Sequence, residues 1–325
     1  MANRIVRNTA VLAKIETTYG TDSVPTGAAN AMLVSNLSGN PINASNVDRD
    51  VLRPFLGASE QLLGTRYSEL SFTVELAGAG TVATAPAWGA LMRACGLAEV
   101  ITATFRVDYV PISTVIESVS IYWYDDGVLH KLTGARGNCA ISMKAGGRPE
   151  LQFKFTGIYS TPTAAANPSV TLTAFKTPQV VVDANSGDVM FGGTHVTTTA
   201  PAITGGTAYP SQGLELDLGN SVNFTPMLGG ETVDLTQRAV SGKVTLDLTA
   251  AQEATFMLAV ELGTLQTVGL MHGTVANTTK AGIWLPGVQL INPQKTEVNG
   301  KRLISFDMRC TPLVGNDEIR VITSF

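Results

Sequence analysis

The chain has 325 residues and a formal net charge of −4, which disfavours a protein that wraps nucleic acid in a basic groove. Charged residues make up 15% of the chain, against roughly a quarter in an ordinary globular domain, so we expect neighbouring molecules to cover much of its surface. Three cysteines stand far apart, an arrangement that favours neither a disulfide framework nor a zinc site.

Glycine, threonine, valine and serine are frequent, and this composition favours strands and turns over helices. In the first half the predicted strands and hairpins are residues 69–76, the hairpin 118–132 around Asp126-Gly127, the hairpin 138–158 and the Thr-rich strand 169–175. One helix is predicted over residues 85–97, with Pro86 in its first turn and Gly96 at its end. The N-terminal apolar run is too short for a signal peptide or a membrane span, so we expect no membrane partner.

The second half follows the same order of strand, helix and hairpin. The corresponding predicted elements are the strand 241–248, the helix 250–263 with Gly263 at its end, and the hairpin 288–309 around Asn299-Gly300. The predicted fold class is therefore all-β, with one short flanking helix per domain.

An internal repeat relates the two halves. Residues 53–76 match residues 225–248 without a gap when the chain is shifted by 172 positions. The identical pairs are Pro54/Pro226, Leu56/Leu228, Gly57/Gly229, Leu63/Leu235, Arg66/Arg238, Thr73/Thr245 and Leu76/Leu248. Self-similarity at a fixed spacing indicates a duplicated structural unit. We therefore expect two tandem β-sandwich domains, residues 1–177 with an N-terminal arm and residues 178–325.

Each copy contains a loop that carries apolar side chains. Residues 53–60 and 225–232 place proline and glycine as turn residues around them, which predicts a projecting loop. Apolar side chains on a loop are costly unless a partner covers them, although either loop folding back on its own domain remains an alternative. The proposed contact residues are Pro54, Phe55, Leu56, Gly57, Pro226, Met227, Leu228 and Gly229.

No pattern in the sequence indicates catalysis, a cofactor or a metal. Gly78-Ala-Gly80 lacks the remaining residues of a phosphate-binding loop, and the three histidines have no partner at ligand spacing. The acidic pairs at 48–50 and 125–126 fall in predicted turns, where solvated carboxylates are the ordinary outcome. We therefore expect a protein that is not an enzyme.

Several segments in a fixed order resemble the major tail tube protein of long non-contractile-tailed bacteriophages. These segments are residues 11–22 followed by a proline, Leu56-Gly57, residues 85–96, residues 120–127 and residues 134–137. The likeness covers residues 1–177 directly and the remainder through the internal repeat. The resemblance implies a small β-sandwich with a flanking helix, whose sheets join between subunits into a ring with a closed β-barrel as its inner wall.

The resemblance also implies a function and partners. The chain would be a structural virion protein of the tail, made in the host bacterial cytoplasm, whose stacked rings conduct double-stranded DNA during ejection without specific binding. Many members place six single-domain chains in a ring, so a duplicated chain would form a homo-trimer with pseudo-sixfold symmetry. Residues 44–66 and 217–238 would contact the next ring, and the tape measure, tail terminator and distal tail proteins would be further partners.

Two other interpretations remain open. A secretion-type tube protein would share the fold, but such proteins are usually single-domain and the duplication counts against it. A two-domain β-sandwich binding or adhesin module would need a cluster of exposed aromatic side chains. Tyr122-Trp123-Tyr124 is the one candidate cluster, and strand alternation predicts that Trp123 faces away from its neighbours.

Overall fold

The computed structural model describes residues 3–197, 201–274 and 279–325. The strands before residue 178 are β1 (Thr9–Ile15), β2 (Ala31–Met32), β3 (Ser35–Asp48), β4 (Gln61–Glu75), β5 (Leu97–Thr102), β6 (Arg106–Pro111), β7 (Val119–Asp125), β8 (Val128–Lys144), β9 (Glu150–Tyr159) and β10 (Thr163–Ala164). The later strands are β11 (Val189–Phe191), β12 (Thr194–His195), β13 (Ile203–Thr204), β14 (Thr207–Tyr209), β15 (Ser211–Asp217), β16 (Asn220–Thr225), β17 (Thr232–Arg238), β18 (Ser241–Leu246), β19 (Leu265–His272), β20 (Ala281–Val298), β21 (Lys301–Cys310) and β22 (Arg320–Thr323). The helices are α1 (Gly27–Asn30), α2 (Gly89–Arg93) and α3 (Ala250–Glu261).

The fold is all-β, as the sequence predicts: 52% of the chain is strand and 7% is helix. Each half contains four strands paired in the same order. In the first half the order is β3-β4-β9-β8, and in the second half it is β15-β18-β21-β20. Strand β8 also pairs with β15, so the two sets of four strands form one continuous antiparallel sheet.

Matched positions in the two sets share unusual backbone geometry. Asn36 in β3 and Gly213 in β15 both have a positive φ, 52° and 93°. Glu69 in β4 and Ser241 in β18 are matched by the internal repeat. Each pairs with the residue four positions after Asn36 or after Gly213, so Asn36 and Gly213 occupy equivalent positions. The left-handed region is uncommon for a residue other than glycine. A shared departure of this kind indicates that the two sets follow the same backbone path.

Strand alternation gives this sheet one apolar and one polar face. On the apolar face Phe72 is paired with Phe153, and Val244 with Phe306 at the matching place of the second half. All four side chains are buried in one hydrophobic core. The polar residues between them point to the other face, where most of them are partly or fully exposed.

The helix α3 closes the core of the second half. Thr249 and Gln252 form a capping box at its start, which satisfies backbone donors that a helix leaves unpaired. Phe256 is buried against Phe306, with ring centroids 5.6 Å apart. Gly263, with φ of 63°, follows the helix where the sequence predicts its end.

The helices of the first half differ from the sequence-based prediction. Only Gly89–Arg93 of the predicted helix 85–97 is helical, because Gly89 donates to the carbonyl of Pro86 in a preceding turn. The short α1 is a second helix where one per domain was predicted. The predicted strand 169–175 is also wrong: Thr171 donates to the Gly27 carbonyl, and residues 172–175 form a turn.

The strand β3 was not predicted, because its Ser and Asn residues lack an apolar alternation and have low β propensity. It pairs with β4 along most of its length, so the connection predicted before residue 53 is one arm of a long hairpin. Its partner β4 begins at Gln61, eight residues before the predicted start at 69. The pairing with β4, and not an alternation of side chains in β3, keeps this segment extended.

Candidate assembly surfaces

The continuous sheet ends on two strand edges that have no partner in the described part of the chain. At one end, β3 pairs with β4 alone. At the other end, β20 beyond Gln289 pairs only with β21, on one side. A strand edge offers unpaired backbone donors and acceptors, which form a ready template for another strand. These two edges are the first candidate surfaces for assembly.

The junction between β8 and β15 shows how two four-stranded sets join within one chain. Residues 213–217 pair in antiparallel register with residues 144–140. Leu214 and Leu216 are buried on the apolar face, and Lys144 lies 2.7 Å from Glu215 on the polar face. A Cβ at Gly213 would lie 2.0 Å from the Met143 carbonyl oxygen, so the close approach of these strands requires glycine.

The sequence-predicted contact residues lie at the tips of two hairpins. We call residues 41–67, the part of the β3–β4 pair that extends past the sheet, the first hairpin, and residues 220–238, which contain β16 and β17, the second hairpin. Phe55 and Leu56 are 65% and 102% exposed, and Met227 and Leu228 are 54% and 106% exposed. The flanking residues Pro54, Gly57, Pro226 and Gly229 are exposed as well. Neither tip folds back on the described part of the chain.

The stems of the two hairpins have different surroundings. The second hairpin lies against the first half of the chain: Phe224 stacks on Tyr67 with ring centroids 5.2 Å apart, and Arg136 donates to the Val233 carbonyl at 2.8 Å. Arg238 forms an ion pair with Glu318, and both side chains are over 90% buried. On the first hairpin, by contrast, Leu62 and Leu63 are 53% and 54% exposed.

The polar face of the sheet carries charges of both signs, arranged in cross-strand pairs. Lys154 lies 3.3 Å from Glu69, and Lys243 pairs in register with Glu215 on one side and Asp307 on the other. The charged residues of this face are Glu69, Glu75, Lys144, Glu150, Lys154, Glu215, Asp217, Lys243, Asp307 and Arg309. Carboxylates outnumber cations, so the face offers little free positive charge.

The histidines have structural surroundings. His272 bridges the Ser186 hydroxyl at 2.8 Å and the Gln179 carbonyl at 3.0 Å, and burial lowers its pKa. Burial, with the positive charge of Arg320 second, lowers the pKa of His195 to about 4. His130 stacks on Trp123 with centroids 4.7 Å apart.

The three cysteines are buried, and burial raises the pKa of each thiol. The thiolate is the reactive form of cysteine, so both burial and a raised pKa disfavour reaction at these thiols. Within the described ranges, no group of His, Cys, Asp and Glu side chains could hold a metal ion. Among the same residues, no helix is long and apolar enough to cross a bilayer.

The sequence placed the hairpin tips correctly on the surface but missed the sheet edges and the buried Arg238. The strand β20 runs on to Val298 through Asn, Pro, Gln and Lys residues, which give no period-two signal. The available signal for Arg238 was its identity with Arg66 in the internal repeat, which does not reveal that one copy is buried and the other exposed.

A family model described as phage tail tube protein matches residues 7–310. No curated protein matches the chain significantly. The matched range includes both four-stranded sets, both hairpins and the junction between β8 and β15.

Proposed function

Because the chain belongs to the phage tail tube protein family, we propose that it forms the tube wall as stacked rings of three chains, through which double-stranded DNA leaves the virion. A tail tube protein is a structural component of the virion tail. The long non-contractile type of tail is the type that the sequence resemblance favours.

The observation that carries this proposal is the junction inside the chain. Two sets of four strands are already joined by β8 and β15, and the sheet still ends on the free edges of β3 and β20. If the two halves are duplicated domains, residues 1–177 and 178–325, the same junction repeats between chains. By the matched register, residues 36–40 of one copy pair with residues 298–294 of the next.

Closure of the sheet pairs the free edges of β3 and β20. Three chains, each carrying two sets of four strands, make a ring with pseudo-sixfold symmetry, the number of domains that the family resemblance implies. The apolar face packs on the helices and outer strands, so the polar face lines the channel. A channel in which each lysine lies near carboxylates holds passing DNA weakly, because nonspecific affinity depends on cations that neutralise phosphates.

The tips of the two hairpins supply the contacts between rings. Phe55, Leu56, Met227 and Leu228 are exposed apolar residues at matched places, and a partner that buries them gains hydrophobic free energy. Tape measure protein inside the tube, and terminator and distal tail proteins at its two ends, are the further partners that the family resemblance implies. The mechanism needs no chemical step and no cofactor.

Negative-stain electron microscopy of the purified chain across a concentration series, with mass photometry of the smallest assembly, tests the proposal. We expect hollow tubes of uniform width and a smallest ring with the mass of three chains of 34.1 kDa each. Rings of six chains would contradict the trimer and the duplication. A chain that stays monomeric at every concentration would overturn the assembly proposal itself.

A further inference from the structure

The end of helix α2 is covered by the stem of the second hairpin. A Leu235 methyl carbon lies 3.2 Å from the position that a Cβ on Gly96 would take. Asn220 donates its side-chain amide to the Cys95 carbonyl at 2.7 Å, and Cys95 is fully buried. Residues 95–96, which leave the helix, are therefore sealed by a hairpin from the other half of the chain.

The Arg238 side chain holds the stem of the second hairpin against the end of α2. Its guanidinium donates to the Ile112 carbonyl at 2.8 Å and to the Gly96 carbonyl at 3.5 Å, and it also pairs with Glu318. Backbone carbonyls near a helix end lack partners within the helix, so a guanidinium is a suitable donor for them. The leucine and the arginine, three residues apart, together define the contact.

The matching end of α3 has no such cover in the described chain. Gly263 follows α3 as Gly96 follows α2, and both have a positive φ. The residue before each glycine differs sharply in exposure, since Cys95 is fully buried and Leu262 is 69% exposed. The one atom near a Cβ on Gly263 belongs to the Gln289 side chain, and Leu258 is also exposed at 53%.

The first hairpin carries the same leucine and arginine, but in the described chain they do not cover the end of a helix. Leu63 and Arg66 match Leu235 and Arg238 at the spacing of the internal repeat. Leu63 is 54% exposed, and the Arg66 guanidinium lies only over the Tyr159 ring, 5.2 Å from its centroid. The end of α3 is thus uncovered in the described chain. The first hairpin, which matches the hairpin that covers the end of α2, has its stem exposed.

We infer that the partner for the α3 end of each chain is the first hairpin of a second copy, with the copy's Leu63 packed on Leu262 and Gly263. Arg66 of that copy donates to the carbonyls that leave α3. The inference rests on the ring proposed above and deepens it, because it identifies a lateral contact within the ring. The stem then serves the neighbour at its side, while the tip at Phe55 and Leu56 remains free for the next ring.

The path of the chain agrees with this placement. Within the chain, β15 pairs with residues 140–144, and the second hairpin then crosses from β8 over β9 to Tyr67 of β4. The equivalent path on the second half runs from β20 over β21 to Ala239. A groove of about 870 Å³ lies on that path, bordered by Ala239, Ile291 and Met308. A second copy that pairs its β3 with β20 brings its first hairpin into this groove.

Cross-linking of assembled tubes tests the contact. The double variant Leu63→Cys, Leu262→Cys is treated with a short bismaleimide and analysed on a denaturing gel. We expect a ladder that ends at three covalently linked chains. Both substituted side chains are more than half exposed, so the variants should fold, and the native thiols are buried.

The matched control is the double variant Leu62→Cys, Leu262→Cys. Leu62 is as exposed as Leu63 but points to the opposite face of the strand, so its cross-linking should be at least several-fold slower. A parallel measurement compares Leu63→Asp with Leu62→Asp, and only the former should raise the concentration needed for assembly, by about tenfold. Normal tubes in which both pairs react equally, or neither reacts, would overturn this inference and leave the proposed function intact. Absence of rings from the unmodified chain would overturn both.

Discussion

The two hairpins share a sequence pattern and a position in the fold. The stem of the second hairpin packs against the first half of the chain, whereas the stem of the first hairpin is largely exposed. In the second hairpin Leu235 is half-buried and the Arg238 side chain is more than 90% buried, whereas Leu63 and Arg66 of the first hairpin are exposed. The same residues therefore contribute to stability in one copy and are available for association in the other. In the proposed ring, the contact that the second hairpin makes within the chain is the contact that the first hairpin would make with a neighbouring chain.

The largest expected effect comes from the two arginines. Arg238→Ala leaves the buried Glu318 without its partner, so we expect the free energy of unfolding of the dispersed chain to fall by about 3–5 kcal/mol. Arg66→Ala removes only an exposed contact with Tyr159 and should cost about 0.5–1 kcal/mol at most, while weakening assembly. Urea denaturation below the assembly concentration measures the free energy of unfolding of both variants. Equal decreases would show that the two hairpin stems do not differ in their contribution to stability.

The leucine pair gives a smaller effect of the same kind. Leu235→Ala should lower the free energy of unfolding by about 1–2 kcal/mol, because the half-buried side chain leaves a gap at Gly96. Leu63→Ala should leave the stability of the dispersed chain within about 0.5 kcal/mol and raise the concentration at which rings appear. Thermal melts of the two variants provide the check. If the Leu63→Ala chain melted at as low a temperature as the Leu235→Ala chain, the first hairpin would be packed against its own chain.

The tips should affect neither the fold nor the ring. Leu56→Ser and Leu228→Ser change fully exposed side chains, so stability should shift by less than about 0.5 kcal/mol. Electron microscopy should show intact single rings and few stacked tubes. Val314→Ser, an equally conservative change at a 93% exposed residue away from both tips, is the control and should leave tube length unchanged. Long tubes from the double tip variant would place the contact between rings elsewhere.

The smallest effect concerns the polar face. Glu215→Gln removes the carboxylate that lies 2.7 Å from Lys144 and beside Lys243, so tubes should bind double-stranded DNA more tightly at low salt. The slope of log affinity against log salt should steepen by up to about one unit per freed cation. Glu261→Gln, on the exposed face of α3, should have no such effect. Identical binding by both variants would argue that the polar face does not line the channel.

The sequence predicted elements whose own residues carry a periodic signal. Alternation in residues 69–76 and 241–248, the glycine at the end of the helix 250–263 and the Asp-Gly turn of the β7–β8 hairpin were enough to place these elements. The strand β3 could not be predicted, because its pairing partner rather than its own side chains imposes the extended backbone.

The candidate surfaces divide in the same way. Exposure of Phe55, Leu56, Met227 and Leu228 followed from turn chemistry around apolar residues and is confirmed. The different environments of Arg66 and Arg238 did not follow, because identical residues in a repeat say nothing about which neighbour each copy meets. That distinction depends on long-range packing between the two halves.

The junction of β8 and β15 also has a kinetic consequence. Since the two strands belong to one chain, they meet at the effective concentration set by the connecting segment and not at the concentration of free protein. In the proposed ring, half of the lateral contacts would thus be made during folding, and a first ring would need three molecules to meet where six single-domain chains would otherwise be needed. Because one chain carries both hairpins, the two hairpins would alternate strictly around the proposed ring, and their tips could contact different partners.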